Sequence, residues 1–85
     1  MLNVSVVSAD QQVWAGEAEM VVARTTEGEI GILTGHTPLL AVLSAGEVRV
    51  TQPGGRKIIA NAQDGFISVQ DDTVTVVAGA AELVS

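Results

Sequence analysis

The feature that most constrains this chain is the period of its apolar residues, which is two rather than 3.6 over most of the length and is carried largely by Val and Ile. Such alternation puts one apolar face on each extended segment, so the chain reads as all-β. Leu2, Val4 and Val6 alternate with Asn3 and Ser5, and the turn-prone Ser8-Ala9-Asp10 follows. A short run from Gln12 to Ala15 meets Gly16, and Glu17 to Arg24 reads as one strand that starts at an edge and enters a covered interior. Gly28, Gly31 and Gly35 punctuate the next stretch around Ile30, Ile32 and Leu33, which implies tightly turned backbone. The apolar run Pro38 to Leu43 reads as a strand covered on both sides, with helix as the alternative. Glu47 to Thr51 and Ile58 to Gln63 flank Pro53-Gly54-Gly55 as a hairpin, while Asp64-Gly65 and Asp71-Asp72 mark further turns before Phe66 to Gln70 and Thr73 to Ala78. Ala80, Ala81, Glu82 and Leu83 hint at the start of a helix. The expectation is a single domain over residues 1–85: one β-sandwich of about 8 to 10 short, mostly antiparallel strands.

Composition narrows the function classes. Ten Asp and Glu against four Lys and Arg give a formal net charge of −6, which repels phosphate backbones and argues against a nucleic-acid partner. The 47% hydrophobic content is that of a folding chain rather than an acidic tail. Zero Cys removes disulfides, thiolate metal sites and thiol nucleophiles, so stability must come from packing. With Trp14 and Phe66 as the aromatic residues, the core must be built from small branched side chains, and Val50, Ile67 and Val76 are expected to be sensitive to truncation.

No nucleotide-binding glycine motif with its Lys is present, and no cofactor is implied. His36 stands alone, which excludes a zinc site of the usual kind, and metal is expected to be absent. A triad of His36 with Thr34 or Thr37 and Glu29 rests on chain proximity alone; the bland alternative is a His36 that fixes its loop or titrates at the surface. Glu27 with Glu29 is either a solvated face or a docking contact. Asp71-Asp72 is a turn signal before it is an acid/base pair or a calcium site. Trp14 is open between core packing and an interface anchor. Apart from any resemblance, the readings left are a docking domain, a small-molecule or peptide-binding sandwich whose Gly28 to His36 loop closes on a ligand, and a minimal hydrolase using His36.

The run Gly28-Glu29-Ile30-Gly31-Ile32-Leu33-Thr34-Gly35-His36-Thr37-Pro38-Leu39-Leu40 resembles the signature of the ε subunit of F-type ATP synthases. The order of Val7-Ser8-Ala9, Trp14-Ala15-Gly16, Gly46 to Val50, Asp64-Gly65-Phe66 and Asp72 to Val76 agrees with it along essentially the whole chain. The resemblance implies a ten-stranded sandwich and a non-catalytic central-stalk subunit of a proton-translocating enzyme. Its implied partners are the γ subunit and the polar loops of the c-ring. Its implied place is the cytoplasmic face of the bacterial cell membrane, reached only indirectly through the complex. It also implies that Glu29 lies on a c-ring-facing loop shaped or flanked by Gly28, Gly31 and His36, with Trp14, Glu27 and Thr34 as possible interface residues. Thr34 departs from the family's usual Pro, which restores an N–H and loosens φ. Members usually continue into two C-terminal helices; the sequence stops at Ser85, so inhibition and nucleotide binding by that hairpin are not carried over.

Overall fold

A computed structural model describes residues 1–9 and 11–84. Among them are seven strands and no helix: β1 (Leu2–Ser8), β2 (Gln12–Ala18), β3 (Met20–Thr25), β4 (Gly28–Leu33), β5 (Leu39–Thr51), β6 (Lys57–Gln70) and β7 (Thr73–Leu83). They form one sheet in the order β2-β1-β7-β6-β5-β3-β4, in which only the β1–β7 pair is parallel. The count falls below the expected eight to ten because β5 and β6 are long, at 13 and 14 residues, where the sequence reads as pairs of short strands, and β7 runs on for 11 residues through the stretch read as a strand and the start of a helix.

These three strands bend, and the sheet folds onto itself. Residues 39–42 of β5 pair with 66–69 of β6, and residues 46–51 pair with 57–62, leaving an unpaired corner between the two blocks. β3 and β4 extend the second block, while β7 and then β1 and β2 extend the first. Counting the three bent strands once in each layer gives ten strand segments, five per layer. Strands that switch layers need a bend or bulge. Gly46 supplies it in β5 with φ +150, and Asp64 supplies it in β6 with φ 56. At Gly65 the β7 backbone comes so close that a Cβ would lie 1.8 Å from the Val77 carbonyl oxygen. Asp64-Gly65 is therefore a corner inside β6, not the turn expected from its composition.

Other expectations fare unevenly. The 51–57 hairpin forms as read, with Thr51 opposite Lys57. Asp71 and Asp72 make a two-residue turn with φ 50 and 58, the left-handed pair that matches strand twist. The expected Glu17 to Arg24 strand is split at Glu19, whose N–H donates to the Thr51 carbonyl at 2.7 Å. Residues 80–83 are strand rather than helix, because pairing with 60–63 outweighs their helix propensity. Residues 39–43 form a strand, but Leu40 is 71% and Val42 59% exposed, so only one face is covered. Of the Ser8-Ala9-Asp10 turn, Ser8 donates twice to the Gln11 carbonyl, from its N–H at 2.8 Å and from its hydroxyl at 3.3 Å, while Asp10 lies outside the described residues, as does Ser85.

The core lies between the layers. Val4, Val6, Ile67, Val69, Val74 and Val76 face Val21, Ala23, Ile32, Val48, Val50 and Ala60 in one buried cluster. Phe66 is not part of it, being 41% exposed. Filling the interior with short branched side chains brings the layers close, so loss of methyl groups leaves voids that neighbours cannot reach to fill. Ile67→Ala is expected to cost about 2–5 kcal/mol. Gly65→Ala, which sets a methyl group against fixed backbone, is expected to cost more than about 4 kcal/mol, whereas Gly31→Ala meets open space and should stay within about 0.5 kcal/mol. Urea unfolding of the three variants checks this order; equal midpoints for the two glycine variants would contradict it.

Candidate functional site

The residues singled out by sequence do not form one loop. Glu27 is exposed at the tip of the β3–β4 hairpin, where its N–H donates to Thr25 Oγ1 at 3.2 Å and the Thr25 hydroxyl donates to the Gly28 carbonyl at 2.8 Å. Gly28, Glu29 and Gly31 belong to strand β4, not to a loop, and Glu29 stands cross-strand from Arg24. Thr34 and His36 follow the far end of β4, about 16 Å away at 3.3 Å per residue. The expected grouping of Glu29 with His36 is thus corrected: the two mark opposite ends of one edge strand.

Glu29 borders a shallow depression of about 220 Å³ shared with Arg24, Gly46, Glu47 and Arg49. Arg49 Nε donates to Glu47 Oε1 at 3.4 Å, and both side chains are about half exposed, at 51% and 45%, so the pair contributes little to stability. At the other end of β4, the His36 N–H donates to the Leu33 carbonyl at 3.1 Å. His36 Nδ1 lies 2.6 Å from the Thr37 carbonyl, which only accepts, so Nδ1 carries the proton. The hydrogen bonds of His36 therefore go to backbone, and neither Glu29 nor a Thr hydroxyl completes the triad that can be drawn from sequence. No cluster of three or more His, Asp or Glu able to hold a metal occurs among the described residues.

Trp14 sits on the edge strand β2, half-buried and packed against the core cluster. Its ring folds back over Gly16, where a Cβ would come within 2.8 Å of the ring. Core packing, one of the two readings left open, is what the geometry provides.

Sequence reasoning missed the outer face of the first layer. Strand register sets Leu40, Ser68, Thr75 and Ser5 in one row, and Val42, Phe66, Val77 and Val7 in the next. None of these eight residues is charged, in a chain of net charge −6. Leu40, Val42 and Phe66 are among the most exposed large apolar side chains. The opposite outer face, by the same alternation, carries Arg24, Glu29, Glu47, Arg49, Lys57 and Glu82, including three of the four cations. A signal was present: Leu40, Val42 and Phe66 have outward parity relative to buried Leu43 and Ile67. Parity shows which face a side chain points to, but not whether anything covers it.

These features define a β-sandwich whose charged and apolar groups are spread over two unlike faces and an edge. The chain belongs to the ATP synthase delta/epsilon chain family as its β-sandwich domain, the family model matching residues 1–84. It is 49% identical over 82 residues to the ATP synthase epsilon chain of Streptomyces avermitilis, covering 96% of this chain and 66% of that one. It is 48% identical to the ATP synthase epsilon chain of Frankia casuarinae, covering 96% of each. Among solved structures, a chain of the Euglena gracilis mitochondrial ATP synthase, described as OSCP/F1/c-ring, superposes with a TM-score of 0.89 at 27% identity, covering 96% of this chain and 52% of that one.

As the single Trp, Trp14 reports on its own packing. Gly16→Ala is expected to push the ring outward and shift its fluorescence to longer wavelength at a cost of about 1 kcal/mol. Unchanged emission would show that the ring does not rest on Gly16.

Proposed function

We propose that the chain is a non-catalytic central-stalk subunit of a proton-translocating F-type ATP synthase, seated on the γ subunit and touching the polar loops of the c-ring. In that role it passes rotation of the ring to the catalytic head while other subunits perform the chemistry. Its place is the cytoplasmic face of the bacterial membrane, held there through the complex. Family membership supports the reading, as does likeness to a chain from an assembly described by its F1 and c-ring parts.

The observation that carries the proposal is the contrast between the two outer faces. Burying a charge without a partner costs several kcal/mol, so the surface best suited to a permanent contact is one with no charge to desolvate. The outer face of the first layer offers this between β5 and β1, Glu17 standing apart on the edge strand β2, with Phe66 and Val42 cross-strand neighbours at its exposed margin and Leu40 on the row beside them. We assign this face to γ. The ring contact falls to β4 and the loop after it: Glu29 supplies a carboxylate for a cationic or polar loop. Gly28 and Gly31 leave open space beside the strand, and Thr34 and His36 extend the surface past its end. Glu27 at the hairpin tip lengthens the same edge. A close-packed sandwich deforms little under load, which is what passing torque between two partners requires.

Binding to purified γ tests the assignment. Phe66→Glu and Val42→Glu are expected to weaken it roughly 30-fold or more, the scale of a lost aromatic anchor. Arg49→Ser on the charged face should change it less than about 3-fold. Loss of binding by Arg49→Ser alone, or no binding by the folded wild-type chain at micromolar concentration, would overturn the reading.

A further inference from the structure

We propose that Asp72 is a positioning residue for the β4–β5 loop, its carboxylate holding Gly35, and with it Thr34 and His36, against the β6–β7 turn. The inference rests on the reading above for its functional consequence, but not for its geometry. Among the described residues, every other side-chain hydrogen bond joins positions three or fewer apart; the bond from the Gly35 N–H to Asp72 Oδ1 joins positions 37 apart. At 2.7 Å it has the length of a bond strengthened by an ionised acceptor.

Both ends of this bond are prepared for it. Asp72 is half-buried in the two-residue turn, and its own carbonyl accepts the Asn3 N–H at 2.8 Å. The carboxylate is thus presented from a frame anchored on β1, β6 and β7. On the other side, residues 34–38 cross from the second layer to the first. Within that crossing the bonds of His36 are local, to Leu33 and Thr37, and they shape the loop without fixing where it lies. The bond to Asp72 supplies that placement. Asp71, next to it with a similar φ of 50, is exposed and makes no such contact, so the acidic pair divides into one turn-former and one tether.

Two variants separate the tether from the turn. Asp72→Gly keeps the left-handed backbone without strain and removes the acceptor; Asp72→Asn keeps both the backbone preference and an Oδ1 acceptor. Amide exchange by NMR on this chain is expected to show Gly35 exchanging at least 10-fold faster in Asp72→Gly and close to wild type in Asp72→Asn, with Ile67 and Val76 amides unchanged in both. Unaltered Gly35 exchange in Asp72→Gly would overturn the proposal whatever the loop touches. In the assembled synthase, ATP-driven proton pumping should fall in Asp72→Gly at unchanged γ binding and recover in Asp72→Asn. A freed Gly35 with pumping unchanged would leave the tether supported and count against the ring-facing reading of the loop.

Discussion

The structure depends on three strands serving two layers. A chain this short has too little apolar surface to stabilise two separate sheets, and β5, β6 and β7 remove the need by running through both. The β5–β6 and β6–β7 pairings keep one register across the corner, Val42 opposite Phe66 and Gly46 opposite Ala62 belonging to the same register, whereas β3 shifts register against β5 there. The corners are placed where backbone can take them, at Gly46, Asp64 and Gly65. The layers then meet over Val, Ile and Ala rather than aromatics, which keeps them close and makes the interior sensitive to small losses of volume.

Once the layers are closed, side-chain alternation leaves two outer faces, and the sequence uses them differently. One is uncharged from β5 across to β1, with Glu17 on the edge strand β2, and ends in exposed Leu40, Val42 and Phe66; the other holds most of the cations with interspersed carboxylates. The three cations and three carboxylates of the charged face cancel, so the net charge of −6 is carried by acidic residues outside it, and the uncharged stretch from β5 to β1 has no charge to desolvate. The proposed arrangement follows: one face seated permanently, one edge meeting a moving partner, and a stiff interior between them. The family model matches residues 1–84, and this chain spans about two thirds of the length of the Streptomyces relative.

What could be read from sequence was what depends on local pattern. Period-two alternation places Val4, Val6, Val48, Val50, Val74 and Val76 in the core, and Pro53-Gly54-Gly55 and Asp71-Asp72 in turns, as the structure has them. What could not be read depends on contacts between distant positions. Asp64-Gly65 has a turn's composition, but the β7 carbonyl of Val77 makes it a corner within a strand. Residues 80–83 have helix formers, but residues 60–63 offer a strand partner. The apolar character of both faces of residues 39–43 was legible, whereas the absence of a cover over Leu40 and Val42 was not. The candidate site suffered the same limit. Glu29 and His36 are seven positions apart in a glycine-rich run and read as one loop, yet Glu29 lies in β4, which stays extended to Leu33 and turns only at Thr34 and Gly35. The bond from Gly35 to Asp72 spans 37 positions and leaves no trace in local pattern.

The central claim is that shared strands make the two layers one rigid unit. Native-state hydrogen exchange across β6 tests it most directly, because Ala62 lies on one side of the corner and Ile67 on the other. The account predicts that both amides open only with the whole domain, with the same free energy and the same denaturant dependence. If Ala62 and Ile67 instead opened in separate steps more than about 2 kcal/mol apart, the layers would be independent units, and the molecule would lack the stiffness its proposed role requires.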